Sequence, residues 1–166
     1  MTTVACNLKE MAADTRVVWE GISSDSYTGL KLYTSKRGSV FGVTGNNCSG
    51  VIRAIEWLQQ ETPALEHRPQ PPNGDHDWDW RIIELSPQGI AVYNELLERE
   101  PIMDGMVAVG SGRKVALYCM KYLGMSPAQA VAEAAKVDEW TDVPVYHVTL
   151  PDMQIVRWTA PKKKAK

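Results

Sequence analysis

The chain is expected to fold as an α+β protein, a four-layer αββα sandwich of two antiparallel sheets packed face to face with helices outside. Two observations predict it. Strand-like runs occur in pairs around tight turns, LKLYT and SVFGV about SKRG, then RIIEL and IAVYN about SPQG. The order of elements is four strands, a helix, further strands, two helices and two final strands, and two facing sheets with outer helices bury all of them.

Taken in order, residues 2–8 and about 11–19 read as strands around a turn near Lys9-Glu10. The pair at 30–34 and 39–43 follows, and then Val51, Ile52, Ile55 and Leu58 recur at helical spacing. Residues 61–80, rich in proline and polar side chains, read as a long loop. After the SPQG hairpin, the short strand MVAV runs through GSGRK into a helix that Gly124 stops at about Leu123. Ser126, Pro127 and Gln129 combine an N-cap, a first-turn proline and a capping box. The alanine-rich helix they open permits close packing, and strands VPVYHVTL and MQIVRW end the fold.

At 166 residues, 44% apolar and 23% charged, the chain is expected to be one globular domain over 1–160 with a basic, disordered tail at 161–166. A net charge of −2 supplies no field for a polyanion, so nucleic acid is not the expected partner. Cys6, Cys48 and Cys119 form no CxxC pair, which argues against disulfides or a thiolate metal site and suits a reducing cytoplasm. No apolar run approaches the ~18 residues of a membrane span, and the stretch MTTVACN lacks the basic region and apolar run expected of a signal peptide.

Several motifs fall short. GSGRK lacks the spacing of a phosphate loop, GxSxG is absent, and His67, His76 and His147 show no zinc spacing. The acidic run Asp75, His76, Asp77 and Asp79 reads as a solvated loop, so no metal or cofactor is expected. The opening MTTVACN admits two readings. Threonine is common in strands. Yet Thr2, freed by removal of Met1, would carry a hydroxyl and an α-amine, a nucleophile with its own base. The first hairpin brings Asp14, Thr15 and Arg16 beside Thr2 and Thr3. An inward Lys31 would lower the amine's pKa from its reference of about 7.7–8.0. By composition and spacing alone, Asp14 and Lys31 read as exposed strand residues.

The ordered set TTVAC, AADTR, GLKLY, VFGVTGN, VAVGSG and VYHV resembles the proteasome β-subunit family, and its bacterial relative HslV in particular, over nearly the whole chain. The resemblance implies the N-terminal-nucleophile hydrolase fold and a threonine peptidase with Thr2 as nucleophile. It assigns Asp14 and Lys31 to the charged pair beside that threonine, Gly45 to the oxyanion N–H, and Ser111, Asp138 and Thr141 to the group around the N-terminus. Thr141 stands where the family has serine. Val43, with Gly29 and Asn47 close by, would line the substrate pocket. Implied partners are a peptide or unfolded-protein substrate, a homo-oligomeric ring and an ATP-driven unfoldase. The proline-rich stretch 61–80 stands where the family has a second long helix, so one ring or a weakly stacked pair is expected. A small-amide hydrolase on the same fold and a catalytically silent ring protein are the competing classes.

Overall fold

The computed structural model describes residues 2–16, 30–45, 49–69 and 80–160. Ten strands and three helices are present among them. The strands are β1 Thr3–Asn7, β2 Glu10–Ala13, β3 Leu32–Thr34, β4 Val40–Gly45, β5 Trp80–Ser86, β6 Gly89–Tyr93, β7 Arg99–Ile102, β8 Met106–Gly110, β9 Tyr146–Thr149 and β10 Val156–Arg157. The helices are α1 Ser49–Leu58, α2 Arg113–Leu123 and α3 Pro127–Ala134. One five-stranded sheet runs β10-β9-β2-β1-β8 and the other β3-β4-β5-β6-β7, every pairing antiparallel.

Strand alternation divides the side chains into layers. Val4, Cys6, Met11 and Ala13 of the first sheet face Leu32, Val40, Ile83 and Leu85 of the second. On the outer face of the first sheet, Ala5 and Ala12 lie beneath Ala116 and Met120 of α2 and Ala128, Val131 and Ala134 of α3. On the outer face of the second, Phe41, Ile82 and Trp80 pack with Ala54, Ile55 and Leu58 of α1. The αββα sandwich is therefore the observed fold. The capping box forms as expected, with Ser126 Oγ accepting from the Gln129 N–H and Gln129 reaching back to the Ser126 N–H. Gly124 takes the left-handed conformation, φ 63°, that ends α2.

The differences from the sequence reading have local causes. β2 ends at Ala13, where Asp14 turns its carboxylate onto the N–H groups of Thr3 and Arg16; residues 17–19 of the expected strand lie outside the described residues. The strand β7 has no sequence signature: Arg99, Glu100 and Pro101 are exposed on a sheet edge, where charges and proline discourage further pairing. The described part of the expected loop, 61–69, contains a single 3-10 turn at Leu65–His67, and Trp80 already belongs to β5. Asp75, His76, Asp77 and Asp79, Cys48 and the basic tail lie outside the described residues.

The sheets approach closely at Gly42. A methyl group there would lie 2.6 Å from Val4 Cγ1 and 2.7 Å from Met11 Sδ. Met11 is flexible but Val4 is held at χ1 on a central strand. Gly42→Ala is expected to destabilise the fold by about 1–3 kcal/mol through overpacking, read as a lower denaturant midpoint with unchanged slope.

Candidate functional site

The site is built around the first two residues of the chain that the structure describes. Thr2 is buried, and its carbonyl accepts the Ser111 N–H at 3.0 Å. That approach is open only because β8 ends in glycine. Gly110 has φ 94°, and a Cβ on it would lie 1.7 Å from the Thr2 oxygen. Thr2 Oγ1 is buried and has no hydrogen-bond partner among the described residues. Strand alternation places Thr3 on the other face, toward α2 and α3.

On one side lies a buried ion pair. Asp14 Oδ1 accepts the Thr3 N–H at 2.8 Å and Lys31 Nζ at 3.0 Å, while Oδ2 accepts the Arg16 N–H at 2.9 Å. Lys31 Nζ also donates to the Arg16 carbonyl at 2.5 Å. The Asp14 side chain is fully buried and that of Lys31 is 12% exposed, so the reading of both as exposed strand residues is corrected. The cause is the pairing itself, since each charge supplies the partner that lets the other leave water. Burial pulls the Lys31 pKa below its usual 10.5, and the neighbouring Asp14 carboxylate opposes that shift.

On the other side lies a group of hydroxyls. Ser111 Oγ donates to Asp138 Oδ2 at 2.7 Å, and Thr141 Oγ1 donates to the same oxygen. Thr141 Oγ1 is 2.6 Å from Thr3 Oγ1, which accepts the Gly112 N–H at 2.9 Å. Asp138 and Thr141 follow the C-terminus of α3, where the Asp138 N–H donates to the Ala134 carbonyl at 2.9 Å and the Thr141 N–H to the Asp138 carbonyl at 3.1 Å. A Cβ on Gly112 would lie 2.5 Å from Thr3 Oγ1 and 3.0 Å from Thr141 Oγ1. Both glycines of GSG are thus contact surfaces, one for Thr2 and one for Thr3.

Six of the expected residues, Thr2, Asp14, Lys31, Ser111, Asp138 and Thr141, are connected here by direct bonds or through Thr3. Val43 is half-buried on β4, packs toward the α1 cluster, and donates its N–H to the Lys31 carbonyl at 3.0 Å. Gly45 ends β4, exposed, at φ 104°. Gly29 and Asn47 lie outside the described residues. The sequence reading missed Thr3 and the Arg16 main chain. Alternation from Thr2 was the signal for the first; for the second, a backbone contact leaves none. Among the described residues there is no cluster of metal-ligating side chains, and His147 pairs with Glu10 at 2.9 Å. No helix among them is long and apolar enough to cross a membrane.

No protein-family model and no curated protein sequence matches the chain. Solved structures do. It is similar to HslV from Trypanosoma brucei, at 19% identity and TM-score 0.68 over 89% of this chain and 98% of that one. It is similar to Thiobacillus denitrificans BPH, at 19% identity and TM-score 0.65 over 90% and 96%. A Gly-1 mutant of Anbu from Hyphomicrobium sp. strain MC1 aligns at 14% identity and TM-score 0.68 over 98% and 89%. The chain shares the proteasome-like fold of these proteins.

Removing the cation of a buried pair strands its partner. Lys31→Met leaves the Asp14 carboxylate buried with two backbone N–H donors, and is expected to cost about 3 kcal/mol. Chemical denaturation of the variant beside the parent measures this loss.

Proposed function

We propose that the chain is a threonine peptidase whose nucleophile is Thr2, made N-terminal by removal of Met1. The observation that carries this reading is the buried Lys31–Asp14 pair bonded onto the Thr3 N–H, one residue from a buried hydroxyl with no hydrogen-bond partner among the described residues. The fold shared with HslV supports it.

In the proposed reaction, Thr2 Oγ attacks the carbonyl carbon of a peptide bond while the Thr2 α-amine takes the hydroxyl proton through a water. The Gly45 N–H stabilises the oxyanion. Collapse of the tetrahedral intermediate breaks the C–N bond, and the α-amine returns its proton to the leaving amine. Water then attacks the ester, with the amine again as base, to release the acid and restore Thr2. The cationic Lys31 disfavours a second positive charge and so keeps the α-amine neutral, while Asp14 holds Lys31 in place. Ser111, Asp138 and Thr141 fix the Thr2 end of β1. Val43 is assigned in this reading to a medium-sized apolar substrate pocket, the assignment that the sequence resemblance also extends to Gly29 and Asn47. The reading takes no cofactor, and it carries with it a cytoplasmic homo-oligomeric ring, peptide or unfolded-protein substrates and an ATP-driven unfoldase.

Intact mass of the native protein is expected to show Met1 removed, and processed Thr2→Ala to fold while losing at least about 100-fold in turnover of a peptide-amide reporter. Undiminished turnover would place the nucleophile elsewhere. The role given to Lys31 has a definite sign in pH. Without the cation the α-amine titrates higher, so it is protonated, and inactive as a base, over a wider acidic range. In folded Lys31→Ala the acid limb of the kcat/KM profile is expected to move to higher pH, with activity partly recovered above it. An unmoved limb at uniformly low activity would leave Lys31 a structural role.

A further inference from the structure

The hydroxyl of Thr3 lies on the face of β1 away from Lys31, fully buried beneath α2 and α3. Its hydrogen-bond directions follow from its neighbours. The Gly112 N–H can only donate, so Thr3 Oγ1 accepts there, at 2.9 Å. Thr141 commits its single proton to the Asp138 carboxylate. The 2.6 Å contact between the two threonine hydroxyls is therefore a bond in which Thr3 donates and Thr141 accepts. A directed chain runs from the Gly112 N–H through Thr3 and Thr141 to Asp138. Ser111 Oγ reaches the same carboxylate oxygen at 2.7 Å, so the chain closes into a loop through the Ser111-Gly112 peptide.

This loop grips one turn from several directions. The Ser111 N–H is bound to the Thr2 carbonyl, the Ser111 hydroxyl to Asp138, and the Gly112 N–H to the Thr3 hydroxyl. The space is committed as well, because Gly112 leaves no room for a methyl group between Thr3, Thr141 and Ala134. A β-branched side chain without the hydroxyl would fill the same volume and supply neither bond.

We propose that Thr3 is a positioning residue for the reaction, its hydroxyl setting where the Thr2 backbone stands against Ser111. The proposal rests on the reading of Thr2 as nucleophile. Thr3 makes no contact with substrate in it; its effect passes through the Ser111-Gly112 turn. Small displacements of a nucleophile act on the chemical step more than on binding.

The test compares Thr3→Val, nearly isosteric, with Thr3→Ser, which keeps the hydroxyl, in the full-length processed protein. Thr3→Val is expected to lower kcat roughly 10- to 100-fold on a peptide-amide reporter with KM within about twofold, and Thr3→Ser to restore most of it. Thr141→Val breaks the next link, and its loss combined with Thr3→Val is expected to be less than the product of the two. An inactive Thr2→Ala beside a Thr3→Val variant with parental kcat overturns the positioning role alone. Undiminished turnover by Thr2→Ala overturns the nucleophile reading instead. Hydrogen exchange at the Ser111 and Gly112 amides needs no substrate. It is expected to quicken in Thr3→Val and recover in Thr3→Ser, and equal exchange in all three proteins overturns the proposal even if the reporter is not cleaved.

Discussion

A carboxylate taken fully out of water must be met by donors, and Asp14 is the point on which this molecule depends. It stands where β2 ends, and its three bonds go to three different segments: the start of β1, the main chain at Arg16, and Lys31 just before β3. Lys31 belongs to the strand pair of the second sheet, so the ion pair ties the two sheets together at the end where Thr2 lies. The same contact that ends β2 thus fixes the start of β1 at Thr3, next to Thr2. Lys31 carries a matching constraint, since its ammonium needs both the carboxylate and the Arg16 carbonyl to offset burial.

A second buried carboxylate in this molecule meets the same requirement. Glu84 sits on the outer face of the second sheet, where Ser39 Oγ donates to Oε1 at 3.0 Å. Tyr93 Oη and Arg99 Nε donate to Oε2 at 2.9 and 3.2 Å. Burial and the neighbouring carboxylate push the Tyr93 hydroxyl up to about 12, so it stays a donor throughout the ordinary pH range. Here the donors include an exposed edge residue, and that bond ties β7 across β6 to β5. Around Asp14 two of the three bonds come from backbone N–H groups, which hold their place more tightly than a surface arginine.

Steric constraint complements the polar one. Gly42 lets the two sheets meet, Gly110 lets the Thr2 carbonyl reach the Ser111 N–H, and Gly112 admits the Thr3 hydroxyl. Each glycine marks a place where another part of the chain comes closer than a Cβ would allow. Together they convert a loose run of small residues into a docking surface for β1.

Patterns that depend on neighbouring residues were legible in the sequence. The hairpins, the Gly124 stop and the Ser126 capping box follow from turn chemistry and backbone conformation within a few positions. The ordered motifs also located Asp14, Lys31, Ser111 and Asp138, and the first hairpin carried the idea that Asp14 returns beside Thr2. The edge strand β7 was not legible, because its exposed faces impose no apolar alternation. Nor was the burial of Asp14 and Lys31, since a charge gives no local sign of whether a distant partner will satisfy it. The hydroxyl loop through Thr3 joins residues 3, 111, 112, 138 and 141. Which of those hydroxyls donates, and to what, is a property of their mutual distances. Local backbone preference determined the elements; only tertiary packing, by excluding water, decided which polar groups had to answer one another.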